Sequence, residues 1–130
     1  MEKGRLRRIS AKQIKLKVLD DLWSRVVRQR AGNKCENCGS ESRLQGAHIF
    51  SKGKYRNVRH LPENGLCLCW RCHLGPGGIH KEPMDWYPRV CKILLEKGIS
   101  PDGLRFKART SSRPDNAAIK IALERELEAR

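Results

Sequence analysis

Residues 64–73 read NGLCLCWRCH. Three of the chain's six cysteines and one of its four histidines fall in these ten positions. Leu66 and Leu68 alternate with Cys67 and Cys69, which predicts a short β-strand with the leucines on one face. Its end opens a pair, Cys69-x2-Cys72, with the spacing of a metal knuckle. A matching pair, Cys35-x2-Cys38, precedes it, with thirty residues between the inner cysteines. Two facing knuckles supply four thiolates in a tetrahedron, which suits a structural zinc ion. An iron–sulfur centre, a redox dithiol and inert buried thiols are the alternatives. No thioredoxin-like βαβ pattern surrounds either pair, which argues against the dithiol. Gly39 offers the tight turn that a first knuckle needs. Cys67 and Cys91 read as small buried hydrophobes.

The composition bounds the rest. A chain of 130 residues supports one small domain with extensions, and its core gains from a metal. No run of 18 apolar residues occurs, so no spanning helix is expected and no membrane partner is implied. The start, MEKGRLRRIS, is basic but lacks an apolar segment behind the charges, so a cytoplasmic setting and metal-bound rather than disulfide-bonded cysteines are expected. The formal net charge is +14. Residues 1–34 carry 11 Lys/Arg against 3 acids, whereas residues 113–130 are balanced at 4 against 4. A field of this sign attracts polyanions, and nucleic acid is the commonest.

Along the chain, residues 1–17 read as a basic arm. Val18, Leu19, Leu22, Trp23, Val26 and Val27 recur at helical spacing. RLQGAHIF, at 43–50, reads as a first strand. The polar, basic stretch SKGKYRNVRHLPEN reads as a long loop. Asp85 as N-cap, Pro88 in the first turn and Gly98 as stop frame a later helix. GLRFKAR at 103–109 reads as a strand or an arm. A final helix follows Pro114. Its apolar residues, among them Ala118, Ile121, Leu123 and Leu127, suit either a dimer face or ordinary packing.

Once the four knuckle cysteines are set aside, His48, Asn64, His73 and His80 are the remaining polar candidates near the knuckles. GAHIF followed by LPENGLCLCWRCH resembles an HNH endonuclease of the zinc-ribbon type, found among phage and prophage nucleases. The resemblance covers about residues 33–83. It implies an α+β chain with a ββα-metal (His-Me finger) fold, a four-cysteine zinc knuckle pair and flanking helices. The implied organisation is an arm at 1–17, an endonuclease domain at 18–98, and a C-terminal extension at 99–130. Carried over residue by residue, the resemblance makes His48 the general base, Asn64 the residue that orients it through the loop, and His73 a ligand of a catalytic divalent ion. The partner is then double-stranded DNA, nicked on one strand by a monomer or cut by a homodimer. Arg56, Arg59 and Arg71 are candidate phosphate contacts, and His60 is a structural or phosphate-contacting residue.

The chain departs from the family at Ala47, where an Asp or His ligand usually precedes the general base. A methyl group holds no metal, and a single histidine suits Mg²⁺ poorly. Three resolutions are open: His80 completes the site, water and phosphate complete it, or catalysis is lost and a zinc-ribbon DNA-binding protein remains. Two imidazoles favour Mn²⁺, Co²⁺ or Ni²⁺ over Mg²⁺. Gln45 shares the strand face of Ala47 and is a further candidate for a ligand or a water-holder.

Overall fold

The computed structural model describes residues 14–110 and 113–129. Most of the basic arm therefore lies outside the described residues. The elements run α1 (Leu16–Arg30), β1 (Leu44–His48), 3₁₀ turns at Arg56–Val58 and Pro62–Asn64, β2 (Gly65–Cys69), α2 (Trp70–His73), α3 (Pro83–Glu96), α4 (Pro101–Ala108) and α5 (Asn116–Glu128). This is a small α+β domain with a two-stranded antiparallel sheet and flanking helices.

The register pairs Leu44 with Cys69, Gly46 with Cys67 and His48 with Gly65. Side chains alternate across a strand, so Leu44, Gly46, His48, Gly65 and Cys67 share one face, and Gln45, Ala47, Leu66 and Leu68 share the other. The first face meets α1. Trp23, Val26 and Val27 pack there with Cys67, and Leu123 of α5 closes the cluster. The second face meets α3 and α4. Ala47, Leu66 and Leu68 pack there with Trp86, Val90, Ile93, Leu94 and Leu104. Both faces are covered, which is why every residue of β2 is buried.

Gly65 permits the closest of these approaches. A Cβ there would stand 2.6 Å from Trp23 and from Val27, well inside contact distance. The indole therefore lies directly over the sheet. Its Nε1–H donates to the Leu61 carbonyl at 2.8 Å, so a buried polar group is satisfied.

The helix ends correct several expectations. α1 begins at Leu16, and Val18 is exposed rather than part of the buried stripe. α3 starts at Pro83 with Glu82 as N-cap, so Asp85 sits inside the first turn and Pro88 beyond it. Pro at the first helical position loses no bond, and an early acid suits the helix dipole. Residues 101–108 form a helix, not the expected strand or arm. The Ser100 hydroxyl accepts from the Gly103 amide and Pro101 opens the turn, a cap that outweighs the interior glycine. Asp115 caps α5 through the amides of Ala117 and Ala118. α5 docks on α1, where Glu126 accepts from Arg30 at 2.8 Å.

Candidate metal centre and histidine cleft

Two groups of chemistry-bearing side chains flank β2. The first is the thiol cluster. The sulfurs of Cys35, Cys38, Cys69 and Cys72 all lie within 4.8 Å of one another. Four sulfurs about 2.3 Å from one zinc ion in a tetrahedron would stand about 3.8 Å apart. Cys38 and Cys69 are at 3.6 Å. The knuckles also aim donors at sulfur: the Cys38 amide at Cys35 Sγ, 3.5 Å, and Asn37 Nδ2 at Cys72 Sγ, 3.3 Å. Burial pushes the Cys72 thiol up to about 12. Burial also opposes ionisation of Cys69, but hydrogen bonds from the Cys72 amide and neighbouring thiols outweigh it and bring that thiol to about 7. Four thiolates at such spacing need a cation to offset their repulsion. The donor set fits zinc, and the cluster is capable of binding a structural metal ion.

Glu36 straps this cluster to the sheet. Its amide donates to the Cys67 carbonyl at 2.8 Å, and its carboxylate accepts from the Cys67 amide at 2.7 Å. Cys67 is not a member of the thiol cluster. It is fully buried against α1, and burial raises its thiol to about 11, as expected of a small core hydrophobe.

The second group lines a cleft of about 690 Å³ between α1, the end of β1 and the loop after α2. His48, His73 and His80 all reach it, with Asp20, Trp23 and Lys52. The His48 ring stacks on Trp23, with centroids 3.8 Å apart and planes at 7°. Its Nε2 lies 2.9 Å from the Arg59 carbonyl. A carbonyl only accepts, so Nε2 carries the proton and Nδ1 is left with the lone pair. Burial holds this ring at about 4, well below its ordinary range, and the carbonyl contact offsets only part of that.

Asn64 ties the frame together and is fully buried. Its Oδ1 accepts from the Phe50 amide at 2.8 Å; its Nδ2 donates to the carbonyls of Phe50, 3.0 Å, and Val58, 3.2 Å. The residues just past His48 are thus pinned to the 58–64 loop.

His73 ends α2. Its Nδ1 lies 2.7 Å from Gln45 Oε1, so Nδ1 donates and Nε2 keeps its lone pair. His80 Nε2 approaches that atom to 3.0 Å. The two ring nitrogens thus converge at hydrogen-bond distance, with the rings tilted at 58°. Burial and the neighbouring His80 hold His73 at about 4, which favours the neutral, ligating form. The return of His80 depends on Gly78. Ile79 and His80 amides bond back to the carbonyls of Cys72 and His73. A Cβ on Gly78 would meet the Arg71 and Cys72 carbonyls at 2.8 Å.

Other sequence candidates fall elsewhere. Ala47 is 1% exposed and faces the core, so no ligand is available there. Gln45, on the same strand face, reaches His73's ring instead. Arg59 is held by Asp20 through Nε at 3.0 Å and Nη2 at 2.8 Å. His60 is buried and its Nε2 donates to Asp20 at 2.8 Å. Neither is free to meet a phosphate. Arg56 and Arg71 are exposed but do not line the cleft; among the described residues its only lysine or arginine is Lys52. Asp20, Trp23 and Lys52 carry no signal of a site in the sequence. Comparison with protein-family models, curated proteins and solved structures finds no match to this chain. No helix among the described residues is long and apolar enough to cross a membrane.

Proposed function

We propose that this protein is a metal-dependent DNA endonuclease of the HNH type that nicks one strand of duplex DNA. The observation that carries the reading is one cleft holding a histidine with a tethered Nε2–H beside a pair of convergent imidazoles. The net charge of +14 supplies the attraction to a polyanion.

His48 is the general base. Its Nδ1 takes a proton from water as the water oxygen bonds to phosphorus. The P–O3′ bond breaks, and the 3′ oxygen leaves and is protonated by solvent. The Arg59 carbonyl keeps Nε2 protonated, and stacking on Trp23 prevents the ring from turning. Asn64 holds the loop that carries this carbonyl. Lys52, at the cleft, pairs with the phosphate. His73 and His80 hold the divalent ion, with Gln45 fixing the His73 tautomer; Mn²⁺, Co²⁺ or Ni²⁺ suits two imidazoles better than Mg²⁺. When bound, that ion stabilises charge developing on the leaving oxygen. The four cysteines hold zinc and serve folding.

One observation favours a second reading, a zinc-ribbon protein that binds DNA without cutting it. Ala47 removes the ligand position before His48, and its burial leaves no room for water to replace it. Supercoiled plasmid separates the two readings. The zinc-loaded protein is stripped of weakly bound ions, then given Mn²⁺, Mg²⁺, Co²⁺ or Ni²⁺, with His48→Ala alongside. Nicked circles from wild type alone, with an added ion, are expected. A salt-sensitive mobility shift with no nicking under any ion would establish the binding protein instead.

A further inference from the structure

Three consecutive residues, 59 to 61, are gripped by one face of α1. Asp20 accepts from the side chains of Arg59 and His60, and Trp23, one turn on, donates to the Leu61 carbonyl. The Arg59 carbonyl in turn accepts from His48 Nε2–H, and Trp23 also lies beneath the His48 ring. One helix thus controls both the plane of the imidazole and the carbonyl that selects its tautomer.

The Asp20 contact is costly as a stability device alone. The carboxylate is about three-quarters covered, and the His60 ring almost wholly so. Replacing such a buried polar cluster by apolar side chains is often neutral or stabilising. What an apolar cluster lacks is direction. The two-pronged Arg59 contact and the His60 bond define the orientation of the backbone at 59–60, and that backbone presents the carbonyl to His48.

We propose that Asp20 is the positioning residue for His48: through Arg59 and His60 it fixes the carbonyl that keeps the proton on Nε2 and the lone pair on Nδ1. The consequence for turnover rests on the nuclease reading, but the tautomer is a property of the protein alone.

The test uses the full, zinc-loaded chain. Long-range ¹H–¹⁵N spectra at neutral pH distinguish the protonated ring nitrogen of His48 from the bare one. Wild type is expected to show Nε2–H alone. Asp20→Asn places an amide donor against other donors, and His48 is expected to show mixed tautomers. Arg59→Lys keeps the backbone carbonyl and the charge but loses the two-pronged contact, so it moves the signals the same way and carries the test if Asp20→Asn does not fold. Leu104→Ala, a core truncation on the opposite face of the sheet, is expected to lower the melting temperature and leave His48 unchanged. In plasmid nicking, both clamp variants lose roughly tenfold to a hundredfold in kcat, with KM held. An unaltered Nε2–H signature in both variants would overturn the proposal, even if the wild type nicks DNA. Altered tautomers in a protein that never nicks DNA would uphold the clamp and sink the nuclease reading.

Discussion

The thiol cluster and the histidine cleft adjoin at consecutive residues, Cys72 and His73, yet they are built in different ways. Each half of the cluster is local: two cysteines three positions apart, with the knuckle's own amides turned toward sulfur. Only the meeting of the two knuckles needs the fold. The cleft has no local half. His48 comes from β1, its tautomer from Arg59, its stacking partner from α1, and His80 from a glycine loop that doubles back on α2. A cation in the cluster would tie the two knuckles together and so support folding, whereas the cleft needs the whole frame around it. The cluster should therefore govern stability, and the cleft should govern chemistry.

Substitutions break this contrast in order of size. Cys35→Ser removes a ligand from the cluster. It should abolish zinc retention and cost more than about 4 kcal/mol, enough to lose the cooperative unfolding transition. An unchanged melting curve would contradict a structural metal. His48→Ala should leave zinc content and folding near wild type while lowering the nicking rate by roughly a hundredfold to ten-thousandfold, as read from plasmid conversion. Gly65→Ala forces a methyl group against Trp23 and Val27, and overpacking of this kind costs about 1–3 kcal/mol. Because Trp23 carries the His48 ring, this variant should lose nicking at temperatures where it is still folded.

The smallest effect is that of pH. His48 is held at about 4 in the fold, against an ordinary 6.5, because burial penalises the charged ring. As pH falls below 6.5 the unfolded chain takes up the proton first. The stability tied to this ring is full above 6.5 and is lost as pH falls toward 4. Solvent screening at a half-buried site keeps the loss to about 1 kcal/mol. Denaturant titrations of wild type and His48→Gln should diverge in that window and run parallel above it. Asp20 adds a separate, more acidic loss: burial opposes its ionisation, but the bonds from Arg59 and His60 prevail and hold it at about 2, below 3.8.

What was legible in the sequence follows the same division. Knuckle spacing, strand alternation in GLCLC and the helical stripe of α1 are short-range patterns, and they foretold the thiol cluster, the hairpin and the first helix. His48, Asn64, His73 and His80 were visible as residues, and the fold brings the three histidines to one cleft. The contacts that orient them were not visible. Asp20 meets Arg59 across 39 positions and Trp23 meets the Leu61 carbonyl across 38, and no periodicity records such pairings. α4 was missed for another reason. The segment from Gly103 lacks a clear helical stripe and opens on a poor helix former, so the helix rests on the cap at Ser100 and Pro101.

In the proposed function two distinct metal sites divide the work, thiolates for folding and imidazoles for chemistry. Calorimetric titration of Mn²⁺ or Co²⁺ into zinc-loaded protein tests it most directly, with His73→Ala and His80→Ala beside the wild type and zinc measured in each sample. One zinc per chain should be retained throughout, and a second, weaker ion should bind the wild type and be lost in both variants. Absence of a second binding event in the wild type, or its survival in both variants, would contradict it.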